Sequence, residues 1–140
     1  MVCVALVCTS ATFFIPAWIA SKMKKHIDSL LISALASTSI FYHGTVSPLA
    51  RIIDTCVAHI TAFHFVSNGI TRFMSHKKLL DAMSMVWCGI SAWMYYKKSI
   101  VITEDCISRK WHMGVHLSAQ AALLCMLYSP SNIQLKLELY

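Results

Sequence analysis

Residues 39–54 have the sequence SIFYHGTVSPLARIID. A serine and a histidine stand at the end of one apolar segment, and an aspartate stands at the start of the next. Ser39 and His43 are four positions apart, so their side chains share one face of a helix. The flanking segments each approach the roughly 20 residues that cross a hydrocarbon core as a helix. This stretch therefore predicts a turn between two transmembrane helices, with polar side chains near one membrane face.

The rest of the chain repeats this pattern of apolar segments separated by short basic clusters. Because 57% of the residues are hydrophobic and 13% are charged, against about 25% charged in soluble domains, lipid is the expected solvent. Only helices or closed barrels satisfy the backbone in lipid, and the segments lack the alternation of barrel strands. We predict one all-α, multi-pass integral membrane domain over residues 1–140, a transmembrane helix bundle with spans at 2–20, 29–46, 52–73, 79–96 and 111–128.

The first span is expected to stay in the protein, because it begins without a basic region and lacks a small-residue cleavage site. The net charge of +6 comes from lysines and arginines gathered at the segment ends. This distribution is typical of contacts with anionic lipid headgroups, so we expect no nucleic-acid partner. The six cysteines form no C-x-x-C pair, which indicates neither a disulfide framework nor a cysteine-rich metal site.

Histidines inside the apolar segments are the strongest indication of a functional site, since ionisable groups are costly in lipid. His112 and His116 are four positions apart and share a helix face. Two predicted crossings separate Asp54 from His112, so the chain returns to the membrane face where His43 lies. Three imidazoles with an open fourth position form the ligand set of a catalytic zinc. We therefore predict a Zn²⁺ site at His43, His112 and His116.

Asp54 and Ser39 are the candidate catalytic residues beside this predicted zinc. Asp54 is expected to orient the attacking water, to act as its general base, or to hold a histidine tautomer. Ser39 is expected to position the water or to stabilise the developing oxyanion. His59 and His64 are five positions apart, which does not align them on one face, and we predict structural or interhelical roles for them.

The order Ser39-x-x-x-His43, then Asp54, then His112-x-x-x-His116 resembles the signature of the CREST superfamily of membrane hydrolases. The likeness is greatest to the alkaline ceramidases, whose aromatic-His-x-Thr and aliphatic-aliphatic-Asp stretches resemble residues 41–45 and 52–54. The resemblance implies zinc-dependent hydrolysis of a lipid amide, with a ceramide-like membrane lipid as substrate. It also implies seven helices, so five spans predict a reduced bundle. An oligomer or another membrane protein that completes this bundle is an open expectation.

Two alternatives from other classes stay open. His64, with Asn68-Gly69-Ile70 and Arg72 after it, faintly resembles a motif of the succinate dehydrogenase cytochrome subunits. It suggests a haem- or quinone-binding membrane anchor subunit of a respiratory complex. The other alternative is a catalytically silent structural or receptor-like membrane protein that keeps the metal for stability.

Overall fold

The computed structural model describes residues 4–45, 47–76, 79–97 and 105–129. Within these ranges the chain is helical and no strand occurs, which confirms the all-α part of the predicted fold class. Four of the five predicted segments are helical throughout their described residues, and the first is helical on both sides of a break. The helices are α1 Val4–Ala11, α2 Phe14–Lys22, α3 His26–Thr45, α4 Pro48–His76, α5 Leu79–Tyr96 and α6 Asp105–Tyr128.

The first predicted span is broken into α1 and α2 at Thr12 and Phe13. Pro16 explains the break, because proline has no N–H for the helical ladder and its ring clashes with the carbonyl four residues earlier. Around the break the ladder tightens: the N–H of Phe13 bonds to the carbonyl of Ser10, and that of Ile15 to the carbonyl of Thr12. The resulting bend places Phe13 in the core, where it is 2% exposed.

The next two helix boundaries follow from local backbone chemistry. After α2, Lys24 adopts a left-handed conformation with φ 57°, and the N–H of Lys25 bonds back to the carbonyl of Ala20. This is the Schellman pattern that ends helices. At the other end of α3, Pro48 is the first residue of α4. Proline suits this position because its missing N–H would have no helical partner there.

The core lies where α2, α3, α4 and α6 meet. Small residues on α2 and α3, such as Ala20 and Ala36, allow close approach of the helices, and larger apolar side chains fill the space between them. α5 and α6 form the most extensive helix pair, whereas α4 hardly touches α6. The buried cluster comprises Phe13, Ala17, Ala20, Ile32, Ala36, Phe65, Leu123, Met126 and Leu127.

Two helical segments of the described chain are long and apolar enough to cross a membrane: Val4–Lys22, which includes the break, and Pro48–Ser75. Only 17% of the most apolar window of the second segment is buried inside the protein. Its outward surface therefore carries large apolar groups such as Phe63 and Met74.

The end of the bundle opposite the predicted site is held by cations at the C-terminus of α6. The guanidinium of Arg72 donates to the backbone carbonyls of Met126 and Ser129, and Lys25 donates to that of Leu127 at 2.9 Å. Cations at a helix C-terminus interact favourably with its carbonyls and dipole. Burial, followed by the nearby Arg72 charge, lowers the pKa of Lys25.

Arg72 also lies 3.5 Å from the carboxylate of Asp81, which is 1% exposed. Arg72→Leu removes this charge and two carbonyl contacts, so we expect it to lower the free energy of unfolding by about 2–3 kcal/mol. Arg51→Leu is the matched control on the same helix, because Arg51 is exposed; its change should stay within about 0.5 kcal/mol. Thermal unfolding of both variants in detergent measures the difference. Equal losses would contradict the role of Arg72.

Candidate metal centre

Three histidines from two helices come together beside the break between α1 and α2. His43 lies near the end of α3, and His112 and His116 lie in the first half of α6. The ring centroids of His43 and His112 are 4.8 Å apart, those of His112 and His116 are 4.8 Å apart, and those of His43 and His116 are 5.5 Å apart. His43 and His116 are buried, and His112 is half-buried. The prediction that these three side chains converge is confirmed.

The chemistry of this donor set suits a metal ion. One candidate ligand atom from each histidine lies within 4.8 Å of the other two. Nitrogens bound to one tetrahedral zinc at about 2.0–2.1 Å would lie about 3.4 Å from each other. Small side-chain rotations close this difference, since each imidazole turns about two single bonds. Neutral imidazoles are ligands for zinc, copper, iron and nickel, so the cluster can hold a metal ion.

α1 supplies a contact to this cluster that the sequence analysis did not predict. Nδ1 of His116 lies 3.0 Å from the hydroxyl oxygen of Thr9. Phe13, at the break, presents its ring edge-on to His116 with the ring centroids 5.7 Å apart. The imidazole of His116 is therefore held from one side by a polar group and from another by an aromatic ring.

The two predicted catalytic residues lie in the wall of one cavity together with His112 and His116. Ser39 is 3% exposed, and its hydroxyl oxygen lies 3.2 Å from that of Ser10 on α1. Asp54 is half-buried near the start of α4 and accepts a hydrogen bond of 3.1 Å from the hydroxyl of Thr38. Both residues are thus anchored by neighbouring hydroxyl groups.

The cavity is elongated and has a volume of about 610 Å³, within the range of about 300–1,000 Å³ that ligand pockets show. Arg51, Tyr42 and Tyr95 line one part of it, and apolar side chains such as Phe65 and Leu123 line another. Its α4 wall runs from residue 51 to residue 66, about 22 Å along a helix. The cavity lies between α4 and α6, which have few contacts with each other.

The other conspicuous histidines lie outside the cluster. His59 lines the cavity, but its Nδ1 is 2.7 Å from the carbonyl of Thr55 in its own helix. His64 pairs with Asp28 of α3, with 2.8 Å between its Nε2 and a carboxylate oxygen. This contact confirms the interhelical role predicted for His64.

Thr9, Ser10 and Thr38 are the site residues that sequence reasoning missed. The adjacent hydroxyls of Thr9 and Ser10 in an otherwise apolar segment were the available signal, because hydroxyl groups between packed helices commonly bond across them. Their partners, His116 and Ser39, are far away in the sequence and could not be assigned from it.

Comparisons with protein-family models, with curated proteins and with solved structures give no match for this chain. The likeness to the CREST superfamily therefore stays a prediction that rests on the order and spacing of its motif residues.

Proposed function

We propose that this protein is a multi-pass membrane protein with five spans and a zinc-dependent hydrolase of a lipid amide bond. Large apolar side chains on the outward surfaces of four helices support the first part. They include Leu30 on α3, Phe63 on α4, Val86 on α5 and Leu117 on α6, and all four are exposed. Exposed apolar surface of this extent is typical of contact with lipid or with a partner.

The observation that carries the proposed activity is that His112 and His116 of the histidine cluster line one long cavity together with Asp54. A metal held by His43, His112 and His116 would activate a water and polarise an amide carbonyl. Asp54 and Ser39 also line this cavity. They provide the groups that amide hydrolysis needs besides the metal. None of these residues by itself indicates hydrolysis; their combination supports it.

The protein's own residues take distinct parts in the proposed reaction. Asp54 accepts the proton of the attacking water and passes it to the amide nitrogen as the C–N bond breaks, which gives a carboxylic acid and an amine. Thr38 keeps the Asp54 carboxylate in place through its hydrogen bond. Ser39 donates a hydrogen bond to the water or to the carbonyl oxygen, in an orientation that Ser10 helps to set.

The shape of the cavity suits an amphiphile that enters with its headgroup at the Arg51 end. The acyl chain would follow the α4 wall past Phe65, where the lining is apolar. The length of about 22 Å exceeds half of the roughly 30 Å hydrocarbon core. The cavity is therefore longer than one leaflet is deep, and an acyl chain as long as one leaflet would fit along it.

The competing functions make different use of the same residues. In the anchor-subunit alternative His64 would bind a haem or face a quinone, but here it is engaged with Asp28. In the silent-protein alternative the three histidines would bind metal only to hold α3 against α6. No contact in the described part of the chain favours either alternative over the hydrolase.

Metal analysis of the purified full chain tests the proposal. We expect one zinc per chain and no Soret absorption, together with release of fatty acid from ceramide or N-acylethanolamine in mixed micelles. His26→Ala serves as a control for the loss of any imidazole, since His26 is exposed at the start of α3. It should leave zinc content and hydrolysis unchanged. An iron porphyrin would support the anchor subunit, and bound zinc without hydrolysis would support the silent protein.

A further inference from the structure

We propose that Thr9 is a positioning residue for His116: its hydroxyl holds the imidazole in the tautomer that carries the proton on Nδ1. The inference rests on the proposed metal site but not on hydrolysis. It makes α1 a part of the metal centre, although α1 contributes none of the three histidines.

The Thr9 hydroxyl has a single proton to donate. That hydroxyl donates to the backbone carbonyl of Leu6 in its own helix, with 3.1 Å between the oxygens. The same oxygen lies 3.0 Å from Nδ1 of His116. With this proton assigned to Leu6, the Thr9 oxygen is the acceptor in the second contact. Nδ1 of His116 is then the donor and carries the ring proton.

The tautomer determines which nitrogen can bind a metal. A neutral imidazole has one protonated nitrogen and one nitrogen with a lone pair. With the proton on Nδ1, the lone pair of His116 is on Nε2. Metal-ligating histidines usually donate their other ring N–H to an oxygen, which fixes the ring and raises its basicity as a ligand. Thr9 occupies the position of that oxygen.

A second set of contacts holds Thr9 in register with His116. Gln120 lies one helical turn after His116 on α6, and its side-chain nitrogen donates to the backbone carbonyl of Thr9 at 3.0 Å. The same nitrogen donates to the hydroxyl of Thr12 at 2.7 Å. His116 and Gln120, on two successive turns of α6, therefore both contact Thr9 of α1. The Thr9 hydroxyl therefore meets His116 through a defined helix–helix contact.

Three variants of the full chain separate this role from simple packing. Thr9→Val keeps the shape of the side chain and removes the acceptor, so we expect zinc affinity to fall about 10–100-fold in competition with a chromophoric chelator. Thr9→Ser keeps the hydroxyl and should restore affinity to within a few-fold of the wild type. Thr71→Val removes an exposed hydroxyl that bonds to the Ser67 carbonyl in its own helix, so it should leave zinc affinity unchanged.

The tautomer itself is read by nitrogen NMR of the metal-free protein, labelled with ¹⁵N-histidine. We expect His116 to show the Nδ1–H form in the wild type and in Thr9→Ser, and to lose it in Thr9→Val. An Nε2–H form in the wild type, or unchanged zinc affinity in Thr9→Val, would overturn the inference. If the wild type binds no zinc, the metal site fails as a proposal, and the NMR measurement still decides the tautomer. Should Thr9→Val not fold, the wild-type tautomer and Thr9→Ser decide the matter.

Discussion

Asp54→Asn is expected to lower lipid amide hydrolysis by about 10²–10⁴-fold, the usual contribution of a general acid–base group. Asparagine keeps the shape of the side chain and can still accept the hydrogen bond that Thr38 donates to Asp54. It cannot take a proton from the attacking water. Zinc content should therefore stay near one per chain while the turnover number falls. Fatty-acid release and metal analysis on the same preparation measure both quantities.

Two matched variants make this result specific. Asp28→Asn removes a carboxylate that pairs with His64, away from the residues that line the cavity, and should change turnover little. Ser39→Ala should lower turnover less than Asp54→Asn, because water can partly replace a neutral hydroxyl donor. An empty metal site in Asp54→Asn would make Asp54 a metal ligand and contradict the division of roles proposed here. Full activity would remove Asp54 from the reaction.

His112→Ala is expected to remove zinc and hydrolysis together. Its ring centroid is 4.8 Å from those of both His43 and His116, and its loss leaves two imidazoles on different helices. Loss of a group that hydrogen-bonds to a metal-ligating side chain already lowers metal affinity or activity by about 10–100-fold. Loss of a direct ligand should have a larger effect. Equilibrium dialysis against a zinc buffer and fatty-acid release at saturating lipid measure the two effects.

His26→Ala provides the comparison for His112→Ala, since it removes an exposed imidazole from the same chain. Under the hydrolase proposal His112→Ala abolishes activity even where the protein stays folded. Under the silent-protein alternative it lowers thermal stability and there is no hydrolysis to lose. Zinc binding at the wild-type level in His112→Ala would show that the histidine cluster is not the metal site.

The helix bounds show how far hydropathy predicts this fold. The segment predicted at 52–73 extends as α4 from Pro48 to His76, and the segment predicted at 111–128 begins earlier, at Asp105. Hydropathy marks where side chains become polar, whereas helical hydrogen bonds continue through polar residues until a proline or a left-handed turn ends them. The break before Pro16 interrupts a segment that hydropathy alone treats as continuous.

The all-α class and the convergence of His43, His112 and His116 can both be predicted from the amino-acid sequence alone. Spacing of four positions puts two histidines on one helix face, and the two helical passes of α4 and α5 between Asp54 and His112 bring the chain back to one end of the bundle. Both features depend only on the spacing of residues and the order of helices along the chain.

The hydroxyl groups that contact the site residues are brought there by the packing of whole helices. Thr9 meets His116 because the break before Pro16 directs α1 against the middle of α6, and α1 also brings Ser10 to Ser39. The cavity likewise exists because α4 packs on α3 and α5 but hardly on α6. Such contacts depend on the angle and separation of whole helices, which packing of the complete core sets and no local spacing records.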